Sequence, residues 1–121
     1  MGMIIDEKKA FECYLKSAEK GNHKAQYCLG RLYKHGVGTV NDLNKTFEWY
    51  LKSAEGGNIY AMNNLGNFYS KGIGTKKNEK KAFKWYSKSA ESGNTYAYYK
   101  SGCYAKGFGT EKNEKKHLMP D

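Results

Sequence analysis

The chain has 121 residues, 39% of them hydrophobic and 15% aromatic, with a single proline and a formal net charge of +9. That is too apolar for a disordered chain, too poor in proline for a loop-rich fold, and at this length sufficient for one modest core. No apolar run approaches the roughly 20 residues of a membrane-spanning helix, and "MGMIIDEKKAF" has no basic stretch leading into an apolar one, so neither a membrane span nor a secretion signal is expected.

The first predicted helix covers residues 6 to 20, starts near Asp6 and runs into "CYLKSAEKGN" at 13 to 22. The same phrase returns as "WYLKSAEGGN" at 49 to 58 and "WYSKSAESGN" at 85 to 94, so the chain repeats every 36 residues. A second helix is predicted over 23 to 35, where Ala25, Leu29, Leu32 and Tyr33 fall on one face, and a third over 42 to 56, with Phe47, Tyr50 and Ala54 in the same relation. One period later come helices over 59 to 71 and 78 to 92, and a sixth over 95 to 105. We call the helices that follow the Gly-Asn turns A and the others B, giving the order B, A, B, A, B, A.

The punctuation supports these boundaries. "GVGT" at 36 to 39, "GIGT" at 72 to 75 and "GFGT" at 107 to 110 follow the A helices and supply glycine for a left-handed stop. Asp6, Asp42, Asn78 and Asn113 stand at the starts of B helices; Asn22, Asn58 and Asn94 stand at the starts of A helices. Short turns between them make neighbouring helices antiparallel. After Asn113 the sequence reads "EKKHLMPD", with Pro120 where the repeat has tryptophan, so the last B helix is at best a stub.

A fixed period of this length marks a solenoid of stacked helix pairs. The stretches "AQYCLGRLYKHGVGTVNDLNKTFEWYLKSAEGGN" and "AMNNLGNFYSKGIGTKKNEKKAFKWYSKSAESGN" resemble Sel1-like repeats, relatives of the tetratricopeptide repeat, in their Ala, Leu-Gly, Tyr, Gly-x-Gly, Trp-Tyr and Ala-x-x-Gly-Asn marks. The resemblance implies an all-α, right-handed α-solenoid forming a single domain over 1 to 121: a partial repeat at 6 to 22, full repeats at 23 to 58 and 59 to 94, and a truncated one at 95 to 116. Thr46 for alanine and Cys13 for tryptophan are its main departures.

Catalysis is not expected. His23, His35 and His117 lie at a helix start, a helix end and the tail, with no nucleophile and carboxylate in register. The Gly-x-Gly loops lack the lysine and preceding strand of a phosphate cradle and read as turns. Cys13, Cys28 and Cys103 are odd in number and form no Cys-x-x-Cys pair, so no zinc site or disulfide framework follows, and a reducing, cytoplasmic setting is expected. No metal or cofactor is expected either.

Opposite their core stripes the A helices carry Lys24, Tyr27, Cys28, Arg31 and Lys34 in the first row, Tyr60, Asn63, Asn64, Asn67 and Lys71 in the second, and Tyr96, Tyr99 and Lys100 in the third. The resemblance implies that A helices line the concave groove of the superhelix. Amides there suit the backbone of an extended peptide, tyrosines its side chains, and Lys24, Arg31, Lys34 and Lys100 its carboxylates. Each tyrosine is equally at home as packing between repeats. The expected function is therefore a non-catalytic interaction module, an adaptor or scaffold holding a protein or peptide, preferably acidic. The alternative is a nucleic-acid or anionic-surface binder using Lys77, Lys80, Lys81, Lys84 and Lys88 on the fifth helix, although the chain has one arginine only. At the ends, Phe11, Cys13 and Tyr14, and Tyr98, Tyr104 and Phe108, have no evident cover, which predicts a homo-oligomer formed end to end or by swapping.

Overall fold

The computed structural model describes residues 2–93, with side chains from residue 6 onward. The sixth helix, Tyr96, Tyr99 and Lys100 of the groove, the third glycine loop and the second apolar end lie outside the described residues. Five α-helices follow one another: α1 (Gly2–Glu19), α2 (His23–His35), α3 (Leu43–Glu55), α4 (Ile59–Lys71) and α5 (Glu79–Glu91). The fold is an all-α solenoid. Helices α2 to α5 keep the predicted boundaries to within a residue, whereas α1 starts at Gly2, so that Asp6 lies inside it and is not a cap. Residues 2–5 hold no Gly-x-Gly loop like those that stop the chain before α3 and α5, and the helix runs through them.

Side-chain capping fixes the other four starts. Asn22 and Asn58 accept the backbone N–H of Ala25 and Ala61 at 2.9 Å, while Asp42 and Asn78 accept those of Lys45 and Lys81 at 3.0 and 2.9 Å. At the other ends of α2 and α4, Gly36 and Gly72 take φ of 68° and 69° and return their N–H groups to the Leu32 and Phe68 carbonyls.

Helices α2 and α3 form one hairpin and α4 and α5 the next, and their seams repeat. Tyr50 packs under Gly30 and Tyr86 under Gly66, each ring lying where a Cβ would sit. Ser53 and Ser89 are fully buried and donate their hydroxyls to the carbonyls of His23 (2.6 Å) and Ile59 (3.0 Å). The recurring Ser-Ala-Glu phrase is thus a clasp, its serine closing a hairpin and its alanine (Ala18, Ala54) buried against the following A helix. Thr46, in the place of alanine, makes its own bond there, its one hydroxyl proton shared between the carbonyls of Gly30 and Asp42, both at 3.0 Å.

Between hairpins each B helix meets the next A helix. Phe11 stands edge-on to Tyr33, and Phe47 to Tyr69, at 5.3 and 5.4 Å between ring centroids. Phe11 is therefore covered by α2, contrary to its expected place in an open patch. The Gln26 amide adds a buried bond to the Ala18 carbonyl at 3.1 Å. The second glycine of each loop also serves this seam: a Cβ on Gly74 would stand 2.7 Å from the Leu43 carbonyl oxygen, and one on Gly38 would strike Glu7 and Phe11.

Candidate partner-binding face

Two buried clusters brace the A helices from beneath, one around Ala18, Ala25 and Leu29 and a larger one from Tyr50 to Tyr86. What remains on top is α2 beside α4. Neither helix contains an aspartate or glutamate; α2 carries Lys24, Arg31 and Lys34, and α4 carries Lys71. Every acidic side chain of the described helices is on α1, α3 or α5. The A face is therefore cationic by segregation, with no neighbouring carboxylate on its own helices to neutralise it.

The predicted groove residues divide by what they touch. Tyr27, Arg31 and Tyr60 come together: the Tyr27 ring stacks on Tyr50 at 5.4 Å, meets Tyr60 at 6.0 Å across the junction of α2 and α4, and has the Arg31 guanidinium 6.0 Å from its centroid. Tyr60 is 59% exposed, the most open aromatic side chain among the described residues. Lys24 is exposed and Lys34 half-buried. Asn64 donates its amide to the Tyr60 carbonyl of its own helix at 2.8 Å, and Asn67 accepts the Tyr86 phenol, which anchors the ring beneath Gly66. Asn63 occupies the position of Tyr27 one repeat later, and its Oδ1 is buried without a hydrogen-bond partner.

Burial pushes the Tyr50 phenol well above its ordinary range; Tyr27 adds to the shift and the Arg31 charge partly offsets it. Burial and the Glu55 carboxylate raise Tyr69 in the same direction. A folded-state pKa above the unfolded one means that stability is complete below the ordinary tyrosine value of about 10 and is lost as pH rises beyond it. An alkaline titration followed by circular dichroism should show unfolding begin above about pH 10, and Tyr50→Phe should flatten that loss. A wild-type curve matching that of Tyr50→Phe would refute it.

The α5 lysines have other contacts. Lys81 lies over Tyr69 at 5.5 Å, Lys84 and Lys88 lie over Trp85 at 5.3 and 5.9 Å, and Lys77, in the loop just before the Asn78 cap, approaches Glu79 at 3.7 Å. The ammonium groups of Lys81, Lys84 and Lys88 thus lie over aromatic rings of the same repeat array. Among the described residues no cluster of histidine, cysteine, aspartate or glutamate has the form of a metal site, and no helix is long and apolar enough to cross a membrane.

Sequence reasoning missed three structural duties. The clasp serines and Gln26 looked like ordinary polar helix residues; the strict recurrence of Ser17, Ser53 and Ser89 at the period offered a signal, whereas Gln26, with Met62 one period later, offered none. Asn67 was placed with the free amides of the groove, although a tyrosine phenol holds it.

The family model of the Sel1 repeat matches residues 2–22, 23–58, 59–94 and 95–116. Among solved structures the chain is similar to a Sel1 repeat protein from Oxalobacter formigenes, at 37% identity and a TM-score of 0.85 over 91% of this chain and 46% of that one. It is similar at 33% identity and a TM-score of 0.83 to a protective antigen present in uropathogenic Escherichia coli strains that displays an SLR fold, over 91% of this chain and 24% of that one. Cysteine rich protein B of Helicobacter pylori follows at 29% identity and a TM-score of 0.70, over 72% of this chain and 65% of that one. The chain thus spans less than half the length of the first two. No curated protein matches it.

Proposed function

Because this chain belongs to the Sel1 repeat family, we propose that it is a non-catalytic protein-interaction module, one repeat domain over 1–121 whose A helices hold an acidic extended peptide. The observation that carries the reading is the complete absence of acidic side chains from α2 and α4, at whose junction Tyr27, Arg31 and Tyr60 meet. Arg31 supplies a carboxylate-binding fork and Tyr60 an exposed ring. A solenoid stacks such groups in rows, which suits an extended ligand rather than a compact one. An adaptor or scaffold role in the cytoplasm accords with the free Cys13 and Cys28.

A defined peptide array tests this directly. Acidic peptides containing an aromatic residue should be retained over their lysine-substituted counterparts, and Arg31→Ala with Tyr60→Ala should weaken them about tenfold, equivalent to about 1.4 kcal/mol. Both side chains are exposed, so the melting temperature should be unchanged. Equal binding by wild type and the double variant would defeat the reading. The nucleic-acid alternative is less well supported, since three of its five lysines lie over aromatic rings of their own chain. It would instead give binding that falls steeply with salt and ignores the Arg31 and Tyr60 changes.

A further inference from the structure

The two described hairpins hold a tyrosine at the same point and treat its hydroxyl differently. Tyr50 lies under Gly30 as Tyr86 lies under Gly66, and the two side chains are 1% and 0% exposed. In the second hairpin the Tyr86 phenol donates to Oδ1 of Asn67, the residue that follows Gly66. In the first, the residue that follows Gly30 is Arg31. A guanidinium has donors only, so Arg31 cannot accept the phenol proton as Asn67 does. No other group among the described residues accepts it either. Asn63 Oδ1 is the one fully buried side-chain polar atom without a partner among these residues, so the Tyr50 oxygen reaches the surface.

The surroundings of that hydroxyl are cationic and donor-rich. Tyr27, Arg31 and Cys28, all on α2, are the groups whose charge states act on it, and Tyr27 joins the first two by stacking on the Tyr50 ring while holding the Arg31 guanidinium 6.0 Å from its own centroid. Burial keeps the phenol protonated throughout the neutral range, so it is a standing donor. Neither α2 nor α4 contains a carboxylate that could answer the two donors. A carboxylate has two oxygens and accepts from several donors at once, and such charge-assisted bonds strengthen where water is scarce.

We propose that the first hairpin holds a carboxylate of the bound peptide between the Tyr50 phenol and the Arg31 guanidinium, a place that Asn67 fills in the second hairpin. The inference rests on the acidic-peptide reading above and gives that peptide a register: its anchoring carboxylate belongs at the α2 hairpin and not at the α4 one. The two full repeats thus share a packing solution and differ in use. The Tyr50 ring supports Gly30 while its hydroxyl serves a ligand, whereas the Tyr86 hydroxyl serves the fold.

Fluorescence anisotropy with two labelled hexapeptides tests it, one alternating glutamate and tyrosine and the other glutamine and tyrosine. Wild type should prefer the glutamate peptide. Tyr50→Phe should raise the dissociation constant for that peptide about tenfold and leave the glutamine peptide unchanged. The ring stays under Gly30 and no internal bond is lost, so the melting temperature at neutral pH should hold. Tyr86→Phe, the matched control, should melt lower through loss of its bond to Asn67 and still bind the glutamate peptide like wild type. Arg31→Asn copies the second hairpin: it should abolish the preference for glutamate and melt above Arg31→Ala, because the new amide accepts the phenol. Undiminished binding of the glutamate peptide by Tyr50→Phe, alongside a loss in Arg31→Ala, would overturn this site and leave the acidic-peptide reading standing. An equal loss of both peptides in Tyr50→Phe would also overturn it, since the hydroxyl would then act on the fold and not on a carboxylate. A wild type that does not prefer the glutamate peptide would overturn both.

Discussion

Gly66→Leu should abolish cooperative folding or lower stability by at least about 3 kcal/mol, a large part of the roughly 5–15 kcal/mol that holds a small domain together. A Cβ at this position would lie 2.5 Å from Cε1 and 2.6 Å from Cδ1 of Tyr86, before the rest of the leucine is added. The ring cannot move aside easily, because it is fully buried and its phenol is bonded to Asn67. Thermal unfolding followed at 222 nm measures the loss, and a variant melting within a few degrees of wild type would contradict the packing described. A second substitution identifies the cause. Removing the obstructing ring should make Gly66→Leu with Tyr86→Ala less destabilised than the sum of the single changes, because residues in contact do not act additively.

Gly74→Ala should cost about 2–4 kcal/mol, whereas Gly57→Ala should cost about 1 kcal/mol. Both glycines have positive φ, 68° and 102°, so both substitutions bear the left-handed penalty of an L-residue. Only Gly74 meets an obstacle as well: its Cβ would press on the Leu43 carbonyl oxygen at 2.7 Å and Phe47 Cβ at 3.0 Å, while Gly57 has nothing within 4 Å. The obstacle is backbone inside α3 and cannot rotate out of the way. Chemical denaturation of the two variants separates turn strain from contact between repeats, and equal losses would mean that the loop glycine is only a turn residue.

The period, the alternation of helices and four of the five helix starts were legible in the sequence. Each rests on local physics: apolar residues at helical spacing, an Asn or Asp side chain reaching an N–H three residues on, and a glycine able to take positive φ. The start of α1 was misplaced because Asp6 matched a capping position by period, but the loop that makes such a residue a cap is absent before it. The candidate face was legible only in outline. Lys24, Arg31 and Tyr60 could be assigned to the surface from their place opposite the core stripe, whereas the restraint of Asn67 by Tyr86 depends on how closely α5 approaches α4.

The sequence by itself determined that this chain folds as stacked helix pairs of the Sel1 kind, because the two full repeats carry their own starts, stops and apolar stripe within reach of their backbone. Tertiary structure alone decided what each small residue is for. Gly66 admits the Tyr86 ring, Gly74 admits the backbone of α3, and Ser53 closes a hairpin on the His23 carbonyl. The composition of a helix does not contain these roles, because close approach and hydrogen bonding between helices depend on the distance and rotation at which two elements meet.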